Sequence, residues 1–211
     1  MIESNLNIVE YSCILHLKSV FTKEECAEIA RQILAYKQAE TKNEDGVMLL
    51  NVNYGCWMGR PQENNGFTPE IESLLITKIL EVCDIYAALL PKPTNMNNLN
   101  TDYLDKSKLH VRAWCNVNES GSENFMHSHP GKFMSGVIYF QAEDTGNIEF
   151  VPQNYLHKLS NPAWPYHGTS VYKPYDGDIL LFPSYLLHTI HRNDSDRQRI
   201  NMAFDAMYLE K

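Results

Sequence analysis

The chain has 211 residues, a mass of 24.3 kDa, a formal net charge of −8 and a pI near 5.4. With 44% hydrophobic and 21% charged residues it has the make-up of a soluble globular protein, long enough for one well-buried domain. The acidic balance argues against a nucleic-acid or anionic-membrane binder, because either needs basic surface to displace counterions.

The five cysteines (Cys13, Cys26, Cys56, Cys83, Cys115) are odd in number, widely spaced and free of C-x-x-C. That argues against a disulfide framework or zinc ribbon and points to a reducing, cytoplasmic setting. No basic segment followed by an apolar run opens the chain, so no signal peptide is expected. No stretch reaches the roughly 18–20 apolar residues of a membrane span.

Thr22-Lys23-Glu24-Glu25 reads as a capping box, with Thr22 as N-cap. Cys26, Ile29, Ala30, Ile33 and Leu34 then recur at helical spacing, so an amphipathic helix runs to about Tyr36. A second helix is expected from Thr68-Pro69-Glu70, with Ile71, Leu74, Leu75, Ile79, Val82, Ile85, Tyr86 and Leu89 as its apolar set and Pro91 as its stop. Residues 95–102 (NMNNLNTD) read as a polar connection. Beyond it the pattern becomes strand-like: HVRAWCNV, SGVIYF, NIEFV, TSVYK, DILLF, LHTIH and RINMAFDAMY, punctuated by Gly, Pro, Asn and Asp. The expected fold class is α+β and mainly β, with a jelly-roll core braced by N-terminal helices. Residues 1–100 would give helical support and leading strands of one domain, and residues 101–211 its core.

Three histidines fall where strands meet turns. His127 and His129, separated by Ser128, would point to the same side of an extended chain and can face one ion. His188 follows the strand and turn of GDILLFPSYLLH, and Arg199 follows after a turn at residues 193–196. Arg199 is therefore expected on a strand pairing with that of His188. Imidazole suits Fe, Zn, Cu or Ni, so ligand type alone does not choose the metal. A structural zinc would want a fourth protein ligand, and no cysteine is near in sequence. Three ligands leave open positions, as catalysis needs. A buried Arg199 beside the metal is costly unless a carboxylate pairs with it, and its fork suits bidentate binding. A site for an oxo-acid co-substrate follows.

At these residues the sequence resembles the 2-oxoglutarate/Fe(II)-dependent dioxygenases, closest to the prolyl-hydroxylase-like branch and to a group of bacterial and phage oxygenases with an H-x-H motif. VFTKEECAEIARQIL resembles the branch's opening helix, WCNVNESGSENFMHSHPGKFMSGVIYF its first metal motif, and GDILLFPSYLLHTIHRNDSDRQRINMAFD its distal His and Arg segment. The resemblance implies a double-stranded β-helix, Fe(II) held by His127, His129 and His188, and 2-oxoglutarate and O2 as co-substrates, with ascorbate as a candidate auxiliary reductant. Arg199 would pair with the far carboxylate of 2-oxoglutarate, Tyr139 would add its hydroxyl, and Asn116 would face the co-substrate more weakly. Asn201 stands where the family often has the serine of R-x-S. The implied reaction is hydroxylation of a peptidyl or small-molecule substrate, releasing succinate and CO2.

The main departure is His129, because most of the superfamily has H-x-D there. Replacing a carboxylate by neutral imidazole leaves the metal one unit more positive and makes its binding more sensitive to acid. An alternative has His129 as support and Glu149 or Asp178 as third ligand. His110, His157, His167 and His191 are further candidate ligands; His191 is read as structural or as support for the ligands, and His157 and His167 flank a loop around Trp164 that would be a lid or substrate wall, with a packed surface loop favoured. Trp57 and Arg60 are candidates for the site mouth, with core packing favoured for Trp57; Tyr172, Tyr175 and Tyr185 are read as packing residues. Two rival functions remain at this stage: a cupin-like three-histidine metalloenzyme that does not use 2-oxoglutarate, and a non-catalytic jelly-roll binding module.

Overall fold

The computed structural model describes residues 3–9, 12–40, 53–89, 109–151 and 169–208. In chain order these form β1 (Glu3–Val9), β2 (Ser12–Lys18), α1 (Lys23–Glu40), β3 (Asn53–Gly59), a 3-10 turn (Pro61–Glu63), α2 (Pro69–Leu89) and β4 (Leu109–His127). Then follow β5 (Met134–Gln141), β6 (Ile148–Val151), β7 (Ser170–Tyr172), β8 (Ile179–Pro183), β9 (Leu187–Ile190) and β10 (Arg199–Tyr208). The polar connection at 95–102, the stop at Pro91, and the loop of Trp164 with His157 and His167 lie outside the described residues.

Both halves of the capping box form. Thr22 N–H donates to Glu25 Oε2 at 2.7 Å, and Glu25 N–H donates to Thr22 Oγ1 at 3.1 Å. α1 then buries Cys26, Ile29, Ala30 and Ile33, the face its spacing predicts. α2 buries Ile71, Leu75, Ile79, Val82, Cys83 and Tyr86, and the Tyr86 hydroxyl donates to the Cys13 carbonyl on β2 at 2.9 Å. Ile85 and Leu89, expected in that apolar set, are exposed instead.

All strand pairs are antiparallel, in the order β1-β2-β8-β5-β10-β4-β9-β6-β7, with β3 also on β4. The sheet curls: Phe150 on β6 and Phe182 on β8, well apart in that order, have ring centroids 4.8 Å apart. Side chains alternate across it. Cys115, Val117, Ile138, Phe140, Ile179, Leu181, Ile200, Met202, Phe204 and Ala206 join the helices in one core. The opposite face carries Val137, Tyr139, Leu180 and Phe182, which meet Ile148 and Phe150 in a second cluster.

β4 runs ten residues past the expected HVRAWCNV, pairing with β10 along its first half and with β3 and β9 further on. The expected pairing of Arg199's strand with His188's strand is not found, because β10 lies between β4 and β5. Asn193 accounts for this. Its N–H donates to Ser122 O at 2.9 Å, its carbonyl accepts from Gly121 N–H at 2.6 Å, and its side chain closes the turn onto Arg197 O at 2.6 Å. The link between the two strands therefore crosses β4, and β4 is their shared neighbour.

Candidate functional site

The register of β4 and β9 sets His127 directly opposite His188. His129 lies two residues past the end of β4, where its N–H donates to Ser184 O at 2.7 Å, in the turn that leads to β9. The ring centroids of His127 and His188 are 4.3 Å apart, with His129 at 5.2 and 5.3 Å from them. One candidate ligand atom from each lies within 4.8 Å of the others, and this is the single group of its kind among the described residues.

Each imidazole is oriented through Nδ1. That of His127 contacts Phe125 O at 2.6 Å, that of His188 contacts Leu186 O at 2.9 Å, and that of His129 contacts Asp205 Oδ1 at 2.9 Å. With an acceptor on Nδ1, the proton resides there and Nε2 keeps its lone pair. The Nε2 of His129 is buried and has no partner among the described residues. Phe150 and Phe182 pack against His188, and burial pushes its pKa down to about 3, with the charge of His127 adding to the shift. Burial also lowers the pKa of His127. Three clustered imidazoles, each held at Nδ1, have the donor chemistry that suits a divalent transition metal.

The second half of the site is polar where a sheet interior is normally apolar. Asn201 on β10 stands opposite both Asn116 on β4 and Tyr139 on β5, and its Oδ1 accepts from Asn116 Nδ2 at 2.9 Å. Arg199, opposite Asn118, is 1% exposed, and its Nη2 donates to Asn124 Oδ1 at 3.2 Å. Arg199 Nε and Nη1 and the Tyr139 hydroxyl are buried without a partner among the described residues. Burial lowers the Arg199 pKa and raises that of Tyr139. A buried guanidinium with two open donor atoms and no carboxylate partner among the described residues has the chemistry to receive an anion.

The two carboxylates weighed as a third ligand are engaged elsewhere. Asp178 bonds His16 Nε2 at 2.8 Å, and Glu149 bonds His191 Nε2 at 2.7 Å, which also gives His191 its structural role. Trp57 packs edge-on against Tyr36 and the helix-side core, Arg60 pairs with Glu63, and His110 is exposed beside α2. Tyr172 packs against His16 and Phe150 as expected, whereas Tyr175 and Tyr185 are exposed.

Sequence reasoning missed Asp205, Asn124 and Trp114, whose ring stacks on His129 at 5.6 Å and 17°. The signal for Asp205 was present. Arg199, Asn201 and Asp205 recur at even spacing on β10, while Ile200, Met202, Phe204 and Ala206 fill the other face.

Residues 112–205 match a family model described as "Putative 2OG-Fe(II) oxygenase". No curated protein matches the sequence. Among solved structures the chain is similar to a prolyl-4-hydroxylase of Pseudomonas putida, with a TM-score of 0.59 and 11% identity over 93% of each chain. It is also similar to a prolyl hydroxylase from Trichoplax adhaerens in complex with a hypoxia inducible factor peptide fragment (TM-score 0.58, 14% identity, 93% of this chain and 83% of that one). A third is HygX from Streptomyces hygroscopicus with nickel, 2-oxoglutarate and hygromycin B bound (TM-score 0.55, 12% identity, 92% of this chain and 82% of that one). At such identities the structures show a shared fold, and the matched segment contains all three clustered histidines and Arg199. Over residues 112–205 the chain is therefore similar to the 2-oxoglutarate/Fe(II)-dependent oxygenases, and its fold is the one the solved oxygenase structures share.

Proposed function

We propose that His127, His129 and His188 hold the Fe(II) through their Nε2 atoms, and that Arg199 and Tyr139 receive the far carboxylate of 2-oxoglutarate in a reaction that hydroxylates a substrate C–H. The observation that carries this reading is the buried guanidinium of Arg199, whose Nε and Nη1 have no partner among the described residues. An ordinary core would not retain such a charge unpaired.

When bound, Fe(II) supplies O2 activation coupled to the decarboxylation of 2-oxoglutarate to succinate and CO2. The chain's own residues do the rest. Carbonyls of Phe125 and Leu186 and the carboxylate of Asp205 hold three imidazoles as neutral donors. Three imidazole ligands would bring no anion into the coordination shell itself, so the ion would attract a dianion. Asn124 holds one nitrogen of Arg199, so the guanidinium presents its remaining donors in a fixed plane. Asn116 and Asn201 bond each other beneath Tyr139 and serve as the polar wall of the co-substrate pocket. Phe150 and Phe182 shield His188 from water. Helices and sheet share one core, which supports reading residues 1–211 as one domain.

The test is succinate formation from 2-oxoglutarate by Fe(II)-loaded protein, with and without O2. O2-dependent succinate that is abolished by His188→Ala and strongly reduced by Arg199→Ala is expected. Succinate formation unaffected by both substitutions contradicts the assignment.

A further inference from the structure

The three histidines differ in what holds them. His127 and His188 lean on neutral carbonyls, whereas His129 Nδ1 lies 2.9 and 3.2 Å from the two oxygens of Asp205. Asp205 is buried, and Ser135 Oγ donates to its Oδ1 at 2.6 Å, which fixes the carboxylate from the other side. Arg112, opposite Asp205 on β4, is exposed, and the carboxylate's hydrogen-bond partner is His129 instead. Trp114 stacks on the His129 ring and Ser184 O accepts from its backbone N–H, so the imidazole is clamped in plane and position.

We infer that Asp205 is a positioning residue that works through His129 and gives the metal, one bond further out, the negative charge that a carboxylate at position 129 would give directly. The inference rests on the ligand assignment above. A carboxylate that accepts the Nδ1 proton makes Nε2 a stronger donor than a carbonyl does, because the bond is charge-assisted. His129 is then the most electron-rich of the three ligands, and the site's charge is lowered without filling a coordination position with an anion. β10 accomplishes this with a single strand: Arg199 at one end serves the co-substrate, and Asp205, six residues on along the same face, serves the metal.

The test is anaerobic competition titration of Co(II) into four proteins: wild type, Asp205→Asn, His129→Asp and the double variant. Asp205→Asn is expected to weaken Co(II) binding about 10–100-fold in the wild-type background. It should cause no loss in the His129→Asp background, where the imidazole that relays the charge is gone. Equal loss in both backgrounds, or none in the first, overturns the inference. Wild-type protein that binds no Co(II) overturns the ligand assignment instead, so the two failures are separable. If Asp205→Asn does not fold, Asp205→Glu takes its place. It keeps the carboxylate but displaces it from His129 Nδ1 and should weaken Co(II) severalfold in the wild-type background only; unchanged affinity overturns the inference.

Discussion

Arg199 Nη2 donates to Asn124 Oδ1 at 3.2 Å, while Nε and Nη1 of the buried guanidinium have no partner among the described residues. Asn124 also accepts from Asn118 Nδ2 at 2.9 Å, so its amide is itself held. Arg199→Ala removes the guanidinium proposed to pair with the far carboxylate and should weaken 2-oxoglutarate binding to metal-loaded protein by 100-fold or more, from a cost of about 3–5 kcal/mol. Asn124→Ala loosens only the aim of the fork and should cost about 0.5–1.5 kcal/mol, or roughly 2–10-fold. Calorimetric titration of 2-oxoglutarate measures both. An Asn124→Ala effect as large as that of Arg199→Ala would contradict the ordering.

Acid should destabilise the metal-free protein through His188. Burial holds its folded pKa near 3, well below the ordinary 6.5, so between those values the unfolded chain binds the extra proton. Stability is complete above about pH 6.5 and falls as pH drops toward 3. At pH 5 the loss from this one group is roughly 2 kcal/mol. Urea denaturation of metal-free protein at pH 7.5 and pH 5 measures it, and His188→Gln should flatten the slope. Equal slopes in wild type and variant would show that His188 does not titrate as its burial requires.

Gly177 tests the frame rather than the chemistry. It has φ of +87°, and a Cβ there would meet Phe21 O at 2.5 Å. Its N–H donates to Tyr139 O and its carbonyl accepts from Val20 N–H, both at 2.8 Å, so the turn cannot easily shift. Gly177→Ala should cost about 1–3 kcal/mol. For a chain of this size the melting temperature falls by about 2–4 °C per kcal/mol. A melting temperature unchanged from wild type would contradict the strain.

Much of this was legible in the residues. Helical periodicity after a capping box located α1, and β-branched runs between turn residues located the strands of the core. H-x-H is a local spacing and was enough to pair His127 with His129, whereas distant His188 was legible through the resemblance of its whole segment. The partners of Arg199 were not legible, since a two-residue period says which face a residue takes and not which strand lies alongside. Asn193 decides that pairing by crossing the chain over β4, a contact between residues some 70 apart. Asn124 was missed for a related reason: the polar stretch NVNESGSEN carries no strand signal, yet β4 continues through it on pairing with β3 and β9. Asp205 showed its period but not its purpose.

The central claim, one metal on three histidines with 2-oxoglutarate beside it, is tested most directly by anaerobic optical titration of Fe(II) and 2-oxoglutarate into wild-type protein and His188→Ala. The account predicts a visible metal-to-ligand charge-transfer band that needs both additions, saturates at one Fe(II) per chain and is absent from His188→Ala. Fe(II) bound to wild-type protein with no 2-oxoglutarate-dependent band, or the same band in His188→Ala, would contradict it.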